Sequence, residues 1–374
     1  MRRSAALAGT LARGGGVTVK KWMIGVSALA AVLGGTSAYA GPARAATPPL
    51  SYSSVNLGTL SFVGHGGERA IAINASGEIV GQAEVMPYQP YTGYEHATMF
   101  VPGGTNVDLG TLTGYKGSSE ALALSDGGTI VGSAWTGTAD EAVMWAAKTH
   151  VMTQLFPGEA TGINNSGLVV GAAGAACAPN LATFPTFLTP EAGCQAVTWS
   201  HGHLRDLPGG LPSAATGVNV HGEVVGWVTS RSGQTEAAEW ISGRLSVLGL
   251  GQAYAINSSG TVVGGLTNGP AVKWQGRTMT VLAPAVPSTP GAVVSPVAYA
   301  ISDSGVVGGT CAVVLSYNGW RFPCVWSSHG VQTILSTSWN GPATGVSSAG
   351  DIVGFDGYYS TAMEWSPQPL PRSR

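Results

Sequence analysis

The sequence predicts an all-β fold, a seven-bladed β-propeller with four strands per blade, and three observations predict it. One short segment recurs seven times along the 374 residues. A second hairpin, whose first strand ends in an aromatic residue, follows every copy. One further strand precedes the first copy, where it can complete the last.

The recurring segment runs A-x-[AG]-[IV], then Asn or Ser, then Gly, then [IV]-V-G. Its copies are 70–81 (AIAINASGEIVG), 121–132 (ALALSDGGTIVG), 160–171 (ATGINNSGLVVG), 215–226 (ATGVNVHGEVVG), 253–264 (AYAINSSGTVVG), 298–308 (AYAISDSGVVG) and 343–354 (ATGVSSAGDIVG). The sixth reads one residue short. Closing glycines recur at intervals of 38 to 55 residues, a blade-sized period. A-x-[AG]-[IV] is a short strand with small residues at alternate positions, as strands crowded near an axis require, and [IV]-V-G is its β-branched return strand. Between them the Asn or Ser bonds local backbone and a Gly takes positive φ, which makes a hairpin turn.

The second hairpin begins with a strand ending in Phe100, Trp145, Trp199, Trp240, Trp274, Trp326 or Trp365. These aromatics are expected to pack between blades, since each buries about 150 to 250 Å². The hairpin closes at Leu109, Leu155, Leu207, Leu248, Leu282 and Leu335 in the first six copies. In the seventh the chain runs instead into Ser-Pro-Gln-Pro-Leu-Pro. The missing strand stands at the other end, because 55–60 (VNLGTL) matches the fourth-strand segment 107–112 (VDLGTL). A strand borrowed from the N-terminal side closes a ring and leaves no sheet edge, which an open solenoid would have to cap.

Composition agrees with a folded, turn-rich chain. Charged residues are 10% and Gly is 56 of 374, while 11 Trp and 11 Tyr argue against disorder. Seventeen basic and nineteen acidic residues give a net charge of −2 with no basic stripe, so nucleic acid is excluded as an expected partner. Residues 1–45 read as a signal peptide: Lys20 and Lys21 precede an apolar run from Trp22 to Leu33, and cleavage is expected after Ala40 or Ala45. Residues 1–16 lie upstream of the basic region, as a start codon chosen too early would place them. The apolar run is shorter than the about 20 residues a membrane span needs, and no later segment is longer. The expected protein is exported, extracellular or periplasmic, monomeric and without a cofactor, with one repeat domain over 50–366 and a tail over 367–374.

At this point the chain resembles the HAF-repeat family of probable extracellular proteins, whose pattern is L-G-T-L, A-x-x-I-N-x-x-G-x-V-V-G and H-A-F-x-W. Leu57 to Leu60 and Leu109 to Leu112 match the first, and the seven copies approximate the second. The third is degenerate, with only His96-Ala97 keeping its His and no copy keeping Phe directly after Ala. The resemblance covers about residues 55–365. It implies an extracellular setting and carries no catalytic residues.

Blade topology puts the strand-two-to-three connections and the blade-to-blade connections on one face. The long insertions fall there: 82–96, 172–195, 227–236 and 309–323 in the first class, 283–297 and 336–342 in the second. Four cysteines in an exported chain suggest two disulfides, Cys177 with Cys194 and Cys311 with Cys324, each closing one insertion. On the same face Tyr88, Tyr91, Tyr94 and Trp339 are candidates for sugar stacking or for anchoring a protein, although covering their own loops is the plainer reading. Glu120 and Glu159 stand directly before first strands, with Glu68 nearly so. Such carboxylates suit an acid/base pair or a cation site, although solvated side chains at loop starts are the plainer reading. His201-Gly-His203 with Asp206 lacks a third ligand, so no metal site is expected. The leading function is a binding scaffold for a protein or glycan. An extracellular polysaccharide hydrolase or lyase, resting on the three glutamates, and a structural envelope component are the alternatives.

Overall fold

Every repeat folds into a four-stranded antiparallel unit. The computed structural model describes residues 51–60, 67–85, 94–114, 117–174, 177, 193–282, 296–315, 318–336, 341–357 and 360–368, with the side chains of 312–321 excepted. Unit one is β2 (Arg69–Ile73), β3 (Ile79–Glu84), β4 (Glu95–Phe100) and β5 (Val107–Asp108). Unit two is β6 (Ser119–Leu124), β7 (Ile130–Trp135), β8 (Asp140–Trp145) and the first half of β9 (Met152–Ile163). The second half of β9 opens unit three, with β10 (Val169–Ala173), β11 (Gln195–Ser200) and β12 (His203–Asp206). Units four and five are β13 (Ser213–Val218), β14 (Val224–Thr229), β15 (Thr235–Ile241), β16 (Arg244–Leu250), then β17 (Gln252–Ile256), β18 (Thr261–Gly265), β19 (Ala271–Gln275), β20 (Thr278–Val281). Unit six is β21 (Val297–Ile301), β22 (Val307–Leu315), β23 (Asn318–Trp326) and β24 (Gln332–Ile334). Unit seven is β25 (Ala343–Val346), β26 (Ile352–Asp356), β27 (Thr361–Pro367) and, from the other end of the chain, β1 (Tyr52–Asn56). No helix occurs among the described residues, and the four-stranded sheets fit a propeller.

The borrowed strand pairs with the last repeat as the sequence predicts, but over Tyr52–Asn56 rather than 55–60. β1 runs antiparallel to β27 from Tyr52 opposite Pro367 to Asn56 opposite Met363. The Leu57 N–H then donates to the Ala362 carbonyl at 2.9 Å, the bond that Leu109, Leu207 and Leu282 make to Ala97, Ala196 and Ala271 in their own units. Asn56 and Asp108 each accept the N–H two residues on, at 2.8 Å, so the two L-G-T-L segments turn alike. Gly58 and Gly110 follow at φ 74° and 76°.

The repeat's closing glycine has a steric reason. In each unit the first strand bulges opposite that glycine, for example between Ala253 and Ala255 and between Ala121 and Ala123. The bulge pushes a first-strand carbonyl against the glycine Cα. At Gly81, Gly132, Gly171, Gly226, Gly264, Gly309 and Gly354 an added Cβ would overlap that oxygen. Gly309 shows that the sixth copy is full length: Ala298 pairs with Gly309, and Gly308 takes the place of the second valine. The short reading of 298–308 came from taking Gly308 as the closing residue.

Neighbouring units are tied through backbone-seeking side chains. The turn asparagines Asn74, Asn164, Asn219 and Asn257 accept from their own turn and donate to the carbonyls of Ser125, Asn219, Asn257 and Ser302 one unit on, at 3.0 to 3.1 Å. Where the repeat has Ser instead, the hydroxyl accepts within its own turn, as Ser302 does from Val306. Thr161, Thr216 and Thr344 donate from first strands to Ala215, Ala253 and Ala70 in the next, at 2.8 to 2.9 Å. The Thr344 bond joins unit seven to unit one, and β25 packs beside β2 as each other first strand packs beside its successor.

The repeated aromatics fill the seams. Phe100, Trp145, Trp240, Trp274, Trp326 and Trp365 are buried, whereas Trp199 is half-buried against the core of units two and three. Trp145 and Trp240 donate from Nε1 to the carbonyls of Leu109 and Pro208 at the end of the preceding unit, at 2.9 and 2.7 Å.

Both disulfides form as paired from the sequence, spanning 17 and 13 positions. Cross-links of that span contribute about 3 kcal/mol each by restricting the unfolded chain. Two of the four strand-two-to-three insertions are not loops. Segment 227–236 is strand on both sides of a tight turn at Ser230, and 309–323 lengthens β22 and β23 into one long hairpin. Tertiary burial explains the first case: Trp227 is fully buried against the Cys177–Cys194 bridge.

Candidate functional site

Glu68, Glu120 and Glu159 are buried, at 5%, 1% and 2% exposure, so the solvated reading of these three is corrected. Position in the ladder explains it. Glu120 lies within β6 opposite Ser133, and Glu159 within β9 opposite Ala172, each covered by the strand beside it. Glu68 precedes β2, and its N–H donates to the Ser360 carbonyl of unit seven at 3.1 Å.

Around them stand groups that the sequence reading missed. Glu95 opens β4 and accepts from Gln82 Nε2 at 2.5 Å. Asp140 opens β8 at the corresponding register position. Arg69 opens β2, and its guanidinium lies 5.5 Å from the centre of the Phe355 ring in unit seven. The overlooked signal was cross-strand register: the first residue of a third strand meets the same end of the sheet as the residue before a first strand.

Among the described residues the electrostatics are dominated by burial, with Arg69 the cation that acts on these carboxyls. Burial pushes the Glu159 carboxyl up to about 8, with Asp140 adding to the rise. Glu120 is pushed well above its ordinary value by burial, then by Glu159, while Arg69 pulls the other way. Burial also raises Glu95 against the pull of Arg69 and Gln82, and raises Asp140. Both oxygens of Glu120, Oε2 of Glu159 and Oε1 of Glu68 have no hydrogen-bond partner.

This has a pH signature. A buried carboxyl with a raised value keeps a proton that the unfolded chain releases, so the stability Glu159 contributes is present in full below about 4.5 and is lost as pH rises to about 8. Urea midpoints measured across that window are expected to decline for the parent and to flatten in Glu159→Gln. A slope that the substitution leaves untouched would contradict the assignment.

The first strands enclose a cavity of about 340 Å³. Residues from all seven units line it, mostly aliphatic, such as Ile73, Leu124, Ile163 and Ile301. Among the described residues Glu159 is the acidic residue in its lining. Tyr254 and Tyr299, on neighbouring first strands, meet edge to face with ring centres 5.2 Å apart in the same wall.

Other candidates from the sequence separate. Tyr94 is half-buried at the start of β4, with its carbonyl accepting from Val85 at 3.0 Å, while Tyr88, Tyr91 and Trp339 lie outside the described residues. His96 is buried with Nδ1 2.9 Å from Asp108. Burial pushes the Asp108 carboxyl up, but its bonds with His96 and the Gly110 N–H outweigh that and hold it below the usual value. His201 and His203 are exposed at the β11–β12 turn, and among the described residues no group of three His, Cys, Asp or Glu could hold a metal ion.

No family model and no curated protein matches the chain. Among solved structures it is similar to TolB from Acinetobacter baumannii, at 11% identity and a TM-score of 0.45, covering 80% of this chain and 65% of that one. It is similar also to a putative TolB from Agrobacterium tumefaciens, at 12% identity and 0.44, covering 71% and 95%. The β-propeller domain of the Trilobed protease from Pyrococcus furiosus gives 9% identity and 0.38, covering 72% and 96%. The chain thus spans under two thirds of the Acinetobacter protein, and likenesses of this degree carry no argument about activity.

Proposed function

We propose that the chain is a secreted, closed seven-bladed propeller of the HAF-repeat kind that works as an interaction scaffold, engaging a protein or glycan through the face that carries its insertions. Closure is supported by the unbroken succession of first-strand contacts and by the Thr344 bond into unit one. The observation that carries the function is that each disulfide links the second-strand side of its unit to the third-strand side, Cys177–Cys194 across one connection and Cys311–Cys324 within the β22–β23 hairpin, both in the region to which the sequence assigns the insertions. Bracing reduces the entropy lost when a partner orders those segments. Two disulfides also suit an oxidising compartment.

The test is capture from culture medium and a glycan array, read with the parent and with the double variant Tyr91→Ala, Trp339→Ala. The double variant is expected to keep the parent's thermal midpoint and lose about tenfold or more in affinity for whatever the parent captures. Equal capture by both would overturn the assignment of these aromatics. The coupling of Glu120 with Glu159 favours one second reading, an extracellular polysaccharide hydrolase or lyase. Turnover of a polysaccharide panel that disappears in Glu120→Gln, Glu159→Gln would establish it in place of the scaffold.

A further inference from the structure

We propose that the cavity enclosed by the seven first strands is a binding site for a slender apolar molecule ending in a primary ammonium group, with the ammonium seated at Glu159. The inference rests on the cavity and its buried carboxyls, independently of any partner on the insertion face.

Shape comes first. The lining runs from the turn ends of the first strands, at Ile73, Leu124, Ile163 and Ile256, to Glu159. Glu159 and Ile163 are four positions apart on β9, roughly 13 Å of extended chain. The cavity is therefore deep relative to its 340 Å³ volume and suits a chain-like body rather than a broad ring system. Its walls are aliphatic, apart from the Tyr254–Tyr299 pair and the threonines, and Thr161, Thr216 and Thr344 already spend their hydroxyls on backbone carbonyls. An apolar body gains by desolvation along such a wall.

Charge decides the other end. Glu159 Oε2 is buried without a partner and belongs to a residue lining the cavity. Glu120, electrostatically coupled to it, leaves both oxygens unpartnered. Glu95, Asp140 and Glu68 add to this group of carboxyls, against the guanidinium of Arg69. A buried acceptor without a donor is costly, and a cation gains more from such a group than a neutral donor does, because the interior screens charge weakly. A primary ammonium brings three donors on a compact charge. Neutral Glu159 must ionise to pair with it, so binding transfers the Glu159 proton to the solvent and leaves a carboxylate–ammonium pair.

The probe is hexylammonium, compared with 1-hexanol, by titration calorimetry near neutral pH in two buffers of different ionisation enthalpy. The parent is expected to bind hexylammonium saturably and more tightly than hexanol, with a heat that differs between buffers as release of about one proton requires. Glu159→Gln is expected to weaken hexylammonium roughly tenfold or more, leave hexanol unchanged and abolish the buffer dependence. Ala123→Leu, which fills the wall beside unit three, is expected to lose both ligands. Native circular dichroism and intact disulfides certify each variant. The proposal is overturned if the parent binds no hexylammonium, if hexanol binds the parent equally well, if Glu159→Gln binds hexylammonium like the parent, or if Ala123→Leu retains both. Any of these leaves capture at the insertion face unaffected, so the two readings fail separately.

Discussion

Deleting residues 51–60 is expected to destabilise the protein by more than about 5 kcal/mol, the largest effect of any change short of the disulfides and the repeats themselves. Leu57 alone accounts for much of that. It is buried in the cluster with Ala70, Ile79, Phe100 and Val353, which spans units seven and one, and loss of such a side chain costs about 2 to 5 kcal/mol. Its carbonyl also accepts from Asn106 Nδ2 of unit one at 2.9 Å. Removing β1 further strips β27 of a neighbour along five residue pairs and exposes an edge strand. Two measurements check this. The truncated chain should unfold at much lower urea concentration, and a synthetic peptide of residues 51–60 should restore part of the loss in trans. A truncated chain that melts with the parent would mean that β1 is ornamental.

The second large effect is expected at a residue with no side chain. Gly264→Ala should cost at least about 3 kcal/mol, because the new methyl would overlap the Gln252 carbonyl and crowd Ala253 Cα, both backbone atoms fixed by the ladder. Gly77→Ala is the control. Gly77 has φ 84° with nothing within 4 Å of an added Cβ, so its cost is only the about 1 to 2 kcal/mol of a left-handed alanine. Equilibrium urea unfolding of both variants separates steric overlap from backbone preference. Equal costs would remove the bulge as the reason for the repeat's closing glycine.

These two expectations also mark where the sequence was legible. The copies of A-x-[AG]-[IV] through [IV]-V-G are local patterns, and period and turn chemistry act within a few residues, so seven units and their hairpins could be read directly. The N-terminal strand was legible because 55–60 repeats 107–112 and the seventh copy lacks that piece. The disulfide pairs followed from each cysteine pair flanking one connection. Insertions 227–236 and 309–323 were misread because length alone does not distinguish a loop from a longer hairpin. Burial of Trp227 against a disulfide of the preceding unit decides the first, and nothing within 227–236 records that neighbour.

By itself, then, the sequence determined the units: how many there are, which residues turn, which aromatic closes each hairpin and which strand is borrowed. Only the tertiary structure decided what the glutamates are. Glu68, Glu120 and Glu159 lie tens of residues apart, and whether such side chains are solvated depends on the strands beside them and on Asp140, Glu95 and Arg69 from other hairpins. Ionisation is set by the dielectric and the charges within a few ångströms, which are properties of the assembled fold. The closing glycine belongs to both levels, since the repeat displays it and the bulged carbonyl opposite explains it.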